Sequence, residues 1–401
     1  MQKTNLTRRK PQDLKIAIAG RNKAKLEAVR DALIAKLPES PLKSKTQNLP
    51  ILIADSSDQE SLDVVARSSK VVLSTVGPFL QYGKPLVDSC VRYGTDYVDS
   101  TGETTFIKDL IDSYEDAAIE NKARIVPSCG FDSLPSDIGA LLVANYFADL
   151  GKETASVRAV AIEVSGGVSG GTIHTAAGVI EGSSLSKLAK FSEPYLLLSK
   201  DDSSTRPDPG TLPVLQYNKD LQLYETVWVM ATGNSAYVRR SWGLLNRGYG
   251  KKFKYSESLG ASNIFAGLGV LIGVTGLFLA LMFPPTRWLI KKLVPQGTNT
   301  TSEVELRKGK VLLKFVGLAE DGTKIIASYK MNVDPGYVGT GLMLAESAIG
   351  LVLDDKVLKA GRPENVGKFG VKDGGILTAA SALGLVIVKR LKNAGVEIDI
   401  Q

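Results

Sequence analysis

Histidine is almost missing from this chain of 401 residues, and cysteine occurs only twice. His174 is the sole imidazole and there is no acidic or cysteine cluster at ligand spacing, so a multi-histidine metal centre is excluded and no metal is expected. Cys90 and Cys129 are too few for a disulfide framework and fit a reducing compartment. The N-terminus has no apolar run of the kind that directs secretion, which makes an intracellular protein the expectation. The net charge is +7, but the basic residues are scattered rather than interleaved with aromatics; that argues against nucleic acid and leaves anionic phosphate or a lipid surface open. The most consequential absence concerns glycine. Before Leu14 there is no strand followed by G-x-G-x-x-G and a helix, only the polar, basic stretch MQKTNLTRRKPQD.

What is present reads as an α/β enzyme. An apolar content of 44% with 23% charged residues describes a globular chain, long enough for two domains with filled cores. Short apolar runs alternate with helical patterns from Leu14 to Pro135. That rhythm builds parallel βαβ units whose strand ends line a ligand crevice. The predicted strands are Leu14–Ala19, Pro50–Ala54, a strand ending at Ser74, a second ending at Asp99, and Arg124–Pro127. Between them, Leu26, Val29, Leu33 and Leu37 lie on one helical face, 38–48 reads as a polar loop, and helices are expected over 58–67 and 104–121. The fold expected is therefore a Rossmann-like parallel sheet that lacks its first βα unit.

From about residue 155 the pattern becomes α+β: strands near 157–164, 223–230, 310–317 and 323–332, a glycine-rich turn at 166–171, a surface loop at 198–212, and a final helix near 376–393. The expected division is a basic tail (1–13), a truncated NADP-binding domain (14–135), an α+β substrate domain (136–345) and a C-terminal helical segment that returns to the first domain (346–401). Residues 261–286 carry no charge through Thr286, and Ile264–Phe283 is long enough, at about 30 Å as a helix, to match a bilayer core. Basic residues flank it on both sides, at 251–254 and 287–292, which disfavours a simple span. A segment that dips into one leaflet, broken by Pro284-Pro285, is the expectation. Gly269 and Gly273 form a G-x-x-x-G pair, read either as a helix contact or as plain flexibility.

The candidate site residues sit at the predicted strand ends. Gly20-Arg21-Asn22 follows the first strand where a dinucleotide fold meets the adenosine ribose; an arginine there accommodates a 2′-phosphate and points to NADP. Asp55 ends the second strand, and Ser74, Thr75, Gly77 and Pro78 end the third, where small residues let a cofactor approach or merely form a turn. Tyr82, Tyr97, Asp99 and Glu103 fall on the same rim. Tyr82 or Tyr97 comes before His174 as a proton donor, His174 being equally readable as a bystander. Cys129 as a nucleophile is disfavoured, because no histidine lies nearby in sequence to activate it.

Several segments carry a resemblance: AIAGRNKAKLEAV (17–29), STVGPFLQYGKPLVDSC (74–90), GTDYVDSTGE (94–103), PSCGFDSLPSD (127–137), SGGTIHT (169–175), YVRRSWGLL (237–245), DPGYVGTGLMLAE (334–346) and GGILTAASALG (374–384). In this order they resemble the saccharopine dehydrogenase-like oxidoreductases, a group that includes bacterial trans-acting enoyl reductases and animal proteins found with lipid droplets. The resemblance implies a Rossmann domain that binds NADPH, a substrate domain and a lipid-related reduction. Members open with a glycine-rich strand and turn, and this chain departs from that pattern. Two functions follow as expectations. One is an NADPH-dependent reductase of a lipid-linked enoyl or carbonyl group, in lipid or glycolipid metabolism, at a lipid droplet or the cytosolic face of a membrane, with homo-oligomers left open. The other is a membrane-associated scaffold that keeps the fold without catalysis. True saccharopine chemistry is weaker, since it would not require segment 264–283.

Overall fold

The computed structural model describes residues 14–165, 177–178, 180–181, 193–198, 206, 209–210, 214–294 and 308–401. The first half carries two pieces of parallel sheet. Strands β1 (Ile18–Gly20) and β2 (Ile51–Ile53) pair with each other, while β3 (Val71–Ser74), β4 (Asp96–Asp99) and β5 (Arg124–Val126) form a four-stranded sheet completed by β12 (Gly375–Ile376), in the order β12-β5-β4-β3. Every pairing in both pieces is parallel. Among the described residues β1 has β2 as its only partner and β3 has only β4.

The connecting helices are α1 (Lys23–Lys36), α2 (Pro41–Gln47), α3 (Gln59–Ser68), α4 (Phe79–Tyr82), α5 (Lys84–Tyr93) and α6 (Thr104–Glu120). The segment 38–48, expected as a loop, contains α2: Ser40 accepts from Lys43 N at 3.3 Å and Pro41 occupies the first turn. A serine cap followed by proline is a helix start, a signal that the polar composition obscured. Asp58 caps α3, as its position suggests. The apolar stripe of α1 is not buried. Val29 and Leu33 remain about half exposed, and neither α1 nor α2 contributes a buried residue. By contrast α3, α5 and α6 enclose a core of Val65, Val87, Val91, Tyr97, Ile107, Leu110 and Ile125.

Helix α7 (Leu134–Asp149) leads to the second sheet, of seven strands in the order β13-β11-β10-β6-β9-β8-β7. Its members are β6 (Thr154–Ser165), β7 (Leu215–Asn218), β8 (Leu223–Thr226), β9 (Lys254–Ala261), β10 (Lys310–Ala319), β11 (Lys324–Met331) and β13 (Glu397–Ile400), antiparallel except at β6–β9. Helix α8 (Ala231–Leu244) packs on β9 and α7. Strand β9 takes the first residue, Ala261, of the stretch expected to be membrane-associated.

Helix α9 (Ile264–Met282) is capped by Asn263, which accepts from Ala266 N at 2.9 Å. Its first turns dock on β7 and β8: Thr226 Oγ1 donates to Gly267 O at 3.0 Å, and Leu215 lies against Gly267. Beyond that foothold the helix is bare. Phe265 is 81% exposed, Ile272 63% and Leu279 62%, and only Gly267 and Leu281 are buried. Nothing approaches Gly269 or Gly273, so the G-x-x-x-G pair packs no helix among the described residues. After Phe283 the chain folds into α10 (Pro284–Leu293), where Arg287 Nη1 donates back to Leu281 O at 3.1 Å and Lys291 pairs with Glu181 at 2.8 Å.

A π-helical turn, Pro335–Gly339, opens α11 (Thr340–Leu353), which lies across β3 and β4. Helices α12 (Asp355–Ala360) and α13 (Pro363–Val366) precede β12. The helix expected over 376–393 is two, α14 (Ala379–Leu383) and α15 (Leu385–Asn393), parted at Gly384, where φ is +54° and an added Cβ would strike Val366 O at 2.1 Å. Residues 375–400 thus supply one strand to the four-stranded sheet and one to the seven-stranded sheet.

Candidate functional site at the strand ends

Parallel register brings the carboxyl ends of the strands together within each sheet: Gly20 opposes Ile53 in one, and Ser74 opposes Asp99 and Val98 opposes Val126 in the other. Such a rim is where α/β sheets bind ligands. At the end of β1, Arg21 is exposed and its guanidinium makes no hydrogen bond among the described residues. Asp55, one strand over, accepts from Ser57 N at 2.9 Å and Ser57 Oγ at 2.7 Å. Those bonds, aided by the nearby Arg21 charge, hold its carboxyl below the usual range. Asn22, expected to face a cofactor, has its side-chain oxygen committed to capping α1 through Lys25 N at 3.0 Å.

At the end of β3, Ser74 is buried while Thr75, Gly77 and Pro78 are exposed. The following turn of α4 is held by Glu103, whose two oxygens accept from Phe79 N and Leu80 N, each at 2.9 Å. Tyr82 closes α4 and is 40% exposed. Tyr97 does not reach the rim. It is wholly buried in the core, its hydroxyl donates to Asp99 Oδ2 at 2.9 Å, and burial pushes its phenol well above the ordinary value. All four residues of β4 are buried, so the strand has no open face to present it. Asp99 bridges two strand ends, accepting from Thr101 N and Ser128 N at 2.9 Å each, and burial raises its carboxyl to about 6. His174 lies outside the described residues.

The loop 127–137 after β5 is the seam between the two sheets. Ser128 takes a left-handed φ of +59°, fixed by Asp99 and by its own bond to Thr101 O at 2.6 Å. Phe131 N donates to Thr340 Oγ1 at 3.1 Å, and Ser133 Oγ to Asn234 Oδ1 at 3.1 Å. Cys129 is buried and its thiol is pushed up by desolvation, the opposite of an activated nucleophile. Asp137 accepts from Ser241 Oγ and from Ala380 N at 2.8 Å; burial lifts it to about 7. Buried Glu257 accepts from Ser136 Oγ, Trp228 Nε1, Asn234 Nδ2 and Tyr255 Oη, all at 2.9 Å.

From α8, Tyr237 Oη donates to Pro127 O at 2.6 Å, and Arg240 joins Leu197 O, Ile376 O and Glu115 across the seam. Sequence reasoning missed the seam's polar partners. The signal available was Arg239-Arg240 beside Tyr237 and Trp242, since two adjacent guanidiniums on a buried helix must be paired.

The geometry meets its relatives here. Residues 4–126 match the family model described as the saccharopine dehydrogenase NADP binding domain. A protein of Mycobacterium tuberculosis provisionally named trans-acting enoyl reductase is 33% identical over 407 residues, covering 96% of this chain and 91% of its own length. The trans-acting enoyl reductase of Mycobacterium ulcerans is 32% identical over 403 residues, covering 96% and 91%. Among solved structures, apo saccharopine dehydrogenase (L-Glu forming) of Saccharomyces cerevisiae aligns with a TM-score of 0.47 and 13% identity, over 97% of this chain and 94% of that one. The chain belongs to the saccharopine dehydrogenase-like oxidoreductases, in the trans-acting enoyl reductase group. Its N-terminal domain is an NADP-binding domain.

The rim fits that cofactor at one end. Arg21, exposed and without a hydrogen bond among the described residues though its charge acts on Asp55, is of the type that takes a 2′-phosphate, and Thr75, Gly77 and Pro78 stand exposed after β3. For the pyrophosphate, the described residues offer less: the N-terminus of α1 is taken by Asn22 and that of α4 by Glu103.

Proposed function

We propose that this protein is an NADPH-dependent reductase of a carbon–carbon double bond conjugated to a carbonyl, carried on a lipid-like acyl chain. The observation that carries the reading is Arg21, exposed beside Asp55 at the end of β1, in a domain whose strand-end loop 127–137 is tied to the second half of the chain at Thr340 and Asn234. The names of the relatives support the enoyl class. Bound NADPH supplies the reducing electrons, and the chain's own groups orient the acyl carbonyl and exclude water. Purified protein incubated with NADPH deuterated at C4 and a long-chain 2-enoyl thioester should yield a saturated product carrying one deuterium. Absence of product from folded, cofactor-bound protein would favour the scaffold reading instead.

Two finer points belong to the same proposal. First, the dinucleotide sheet is completed by a strand between β1 and β3 that the described residues do not supply. Inserting one would give a continuous parallel order with its reversal at that strand, the arrangement of a dinucleotide fold. The bare stripe of α1 supports this, because a helix beside a complete sheet buries such a face. Second, α9 and α10 engage a membrane or droplet surface. Phe265, Ile272, Phe278 and Leu279 of α9 are all more than half exposed, an apolar face of the kind that lies on lipid, and the cations Arg287 and Lys292 follow it. A dip is favoured over a span because basic residues flank α9 on both sides and Lys291, beyond it, pairs with Glu181.

A further inference from the structure

Three arginines are buried among the described residues, and two of them have a carboxylate partner: Arg124 pairs with Asp96 and Asp355, and Arg240 with Glu115. Arg239, 5% exposed, meets no acidic side chain among the described residues. Its acceptors are backbone carbonyls: Nη1 donates to Pro194 O at 3.1 Å, and Nη2 to Pro209 O at 3.0 Å and Tyr255 O at 2.9 Å. Its Nε–H is enclosed and has no acceptor. One turn earlier on the same face of α8, the hydroxyl of Ser235 is also enclosed without a partner, the residue being 2% exposed. Arg239 and Arg206 both place their guanidiniums over the Tyr195 ring, at 5.4 and 5.8 Å from its centre. Arg206 is exposed, and so is Pro194, so Arg239 lies one residue below the surface. Thr232, a turn before Ser235, is exposed as well, and the face of α8 opens there. Burial pushes the Arg239 guanidinium below its ordinary value, opposed by the Tyr195 and Tyr255 phenols alone.

A buried charge is ordinarily matched by an opposite one, because removing an unpaired ion from water costs more than carbonyl dipoles return. Here a full positive charge and two unspent donors lie on one helix face, a second guanidinium stands outside them, and no acid answers either. From this juxtaposition we infer that Arg239, Ser235 and Arg206 form a receptor for an anionic oxygen group of the phosphate class. The donors that remain favour phosphate over carboxylate. A carboxylate is best held by a paired N–H fork, but both hydrogens of Nη2 are spent and Nε is left single. Single donors on three side chains suit the spread oxygens of a tetrahedral anion. The receptor is separate from Arg21 and from the strand ends, about 8 Å along α8 from Asn234, which accepts from Ser133 in the loop after β5. Two sources share the chemistry, free phosphate and the phosphates of a thioester carrier such as coenzyme A. The inference does not depend on the reductase reading.

The test titrates the full chain with inorganic phosphate, against chloride at matched ionic strength. The chain carries Arg21→Ala throughout, so that the arginine assigned to the 2′-phosphate does not contribute. Calorimetry should show saturable phosphate binding, accompanied by a rise in unfolding temperature. Ser235→Ala and Arg206→Ala should each weaken that binding about tenfold, the loss of one donor to a charged group. Neither should lower the unfolding temperature in chloride, because the Ser235 hydroxyl has no partner and Arg206 is exposed. Arg239→Met should abolish binding, and if it does not fold the other two variants still decide. Coenzyme A as a second probe separates the sources. Binding tighter than that of phosphate, weakened by the same substitutions, assigns the receptor to a thioester carrier; binding no tighter assigns it to free phosphate. An equal response to phosphate and chloride would overturn the inference. Phosphate binding that survives Ser235→Ala and Arg206→Ala unchanged would overturn it too, and leave Arg239 a structural clip between α8 and the carbonyls it holds.

Discussion

Replacing Glu115 with alanine should loosen the two sheets from each other. Arg240 is 1% exposed at its side chain and donates to Leu197 O at 2.7 Å, Ile376 O at 3.0 Å and Glu115 Oε2 at 2.8 Å. The same Glu115 oxygen accepts from Ile376 N at 3.1 Å, so one carboxylate neutralises a buried guanidinium and satisfies a strand amide of β12. Removing one partner of a buried ion pair costs about 3–5 kcal/mol. Two carbonyl acceptors remain, and the Glu115 side chain is 17% exposed, so water can enter its place; the cost therefore falls at the low end, about 3 kcal/mol. The double variant Glu115→Ala/Arg240→Met, which removes the stranded charge as well, should recover part of the loss. Urea unfolding of the three proteins reads these differences as midpoints. A Glu115→Ala midpoint equal to that of the wild type would refute the argument, because it would mean that Arg240 is solvated without its partner.

Other consequences follow from individual groups. Arg21→Ala should cut the preference for NADPH over NADH by about 10–100-fold in binding titrations, given that a hydrogen bond to a charged group is worth about 1.5–3 kcal/mol; equal affinities in the unmutated protein would remove the basis for this. Leu271→Asp with Leu277→Asp should shift the protein from anionic vesicles to the soluble fraction in a flotation assay, since an aspartate at a helix centre in hydrocarbon costs about 2.5–3.5 kcal/mol. Asp137 and Asp99 are raised to about 7 and about 6 by burial, so the folded state holds protons that the unfolded chain has already released. Their contribution to stability is greatest near pH 4 and declines as pH rises to about 7. Asp137→Asn should flatten that decline in unfolding curves taken across this range.

Much of the first domain was readable because its strands are short, apolar and separated by helical patterns, so their ends fell at Asp99 and Val126 within a residue or so of expectation. The strand ends followed from that, and Arg21, Thr75, Gly77 and Pro78 do lie exposed just beyond β1 and β3. Side-chain commitments were not readable. Asn22 is a cap and Tyr97 is core, and a residue type at a strand end does not say whether its hydrogen bonds are already spent. Strands β7, β9, β12 and β13 went unseen: three of them are only two to four residues long, and β9, KYSESLGA, is polar where β6 and β10 are apolar.

The most direct measurement is NADPH binding by the chain as it stands and with the first strand, glycine-rich turn and helix of a trans-acting enoyl reductase joined ahead of Leu14. The account predicts weak binding by the former, and in the latter a gain in NADPH affinity together with a higher unfolding temperature, because one element would fill the sheet between β1 and β3 and hold the phosphates. Tight, NADPH-selective binding by the unmodified 401-residue chain, unchanged by the addition, would contradict it.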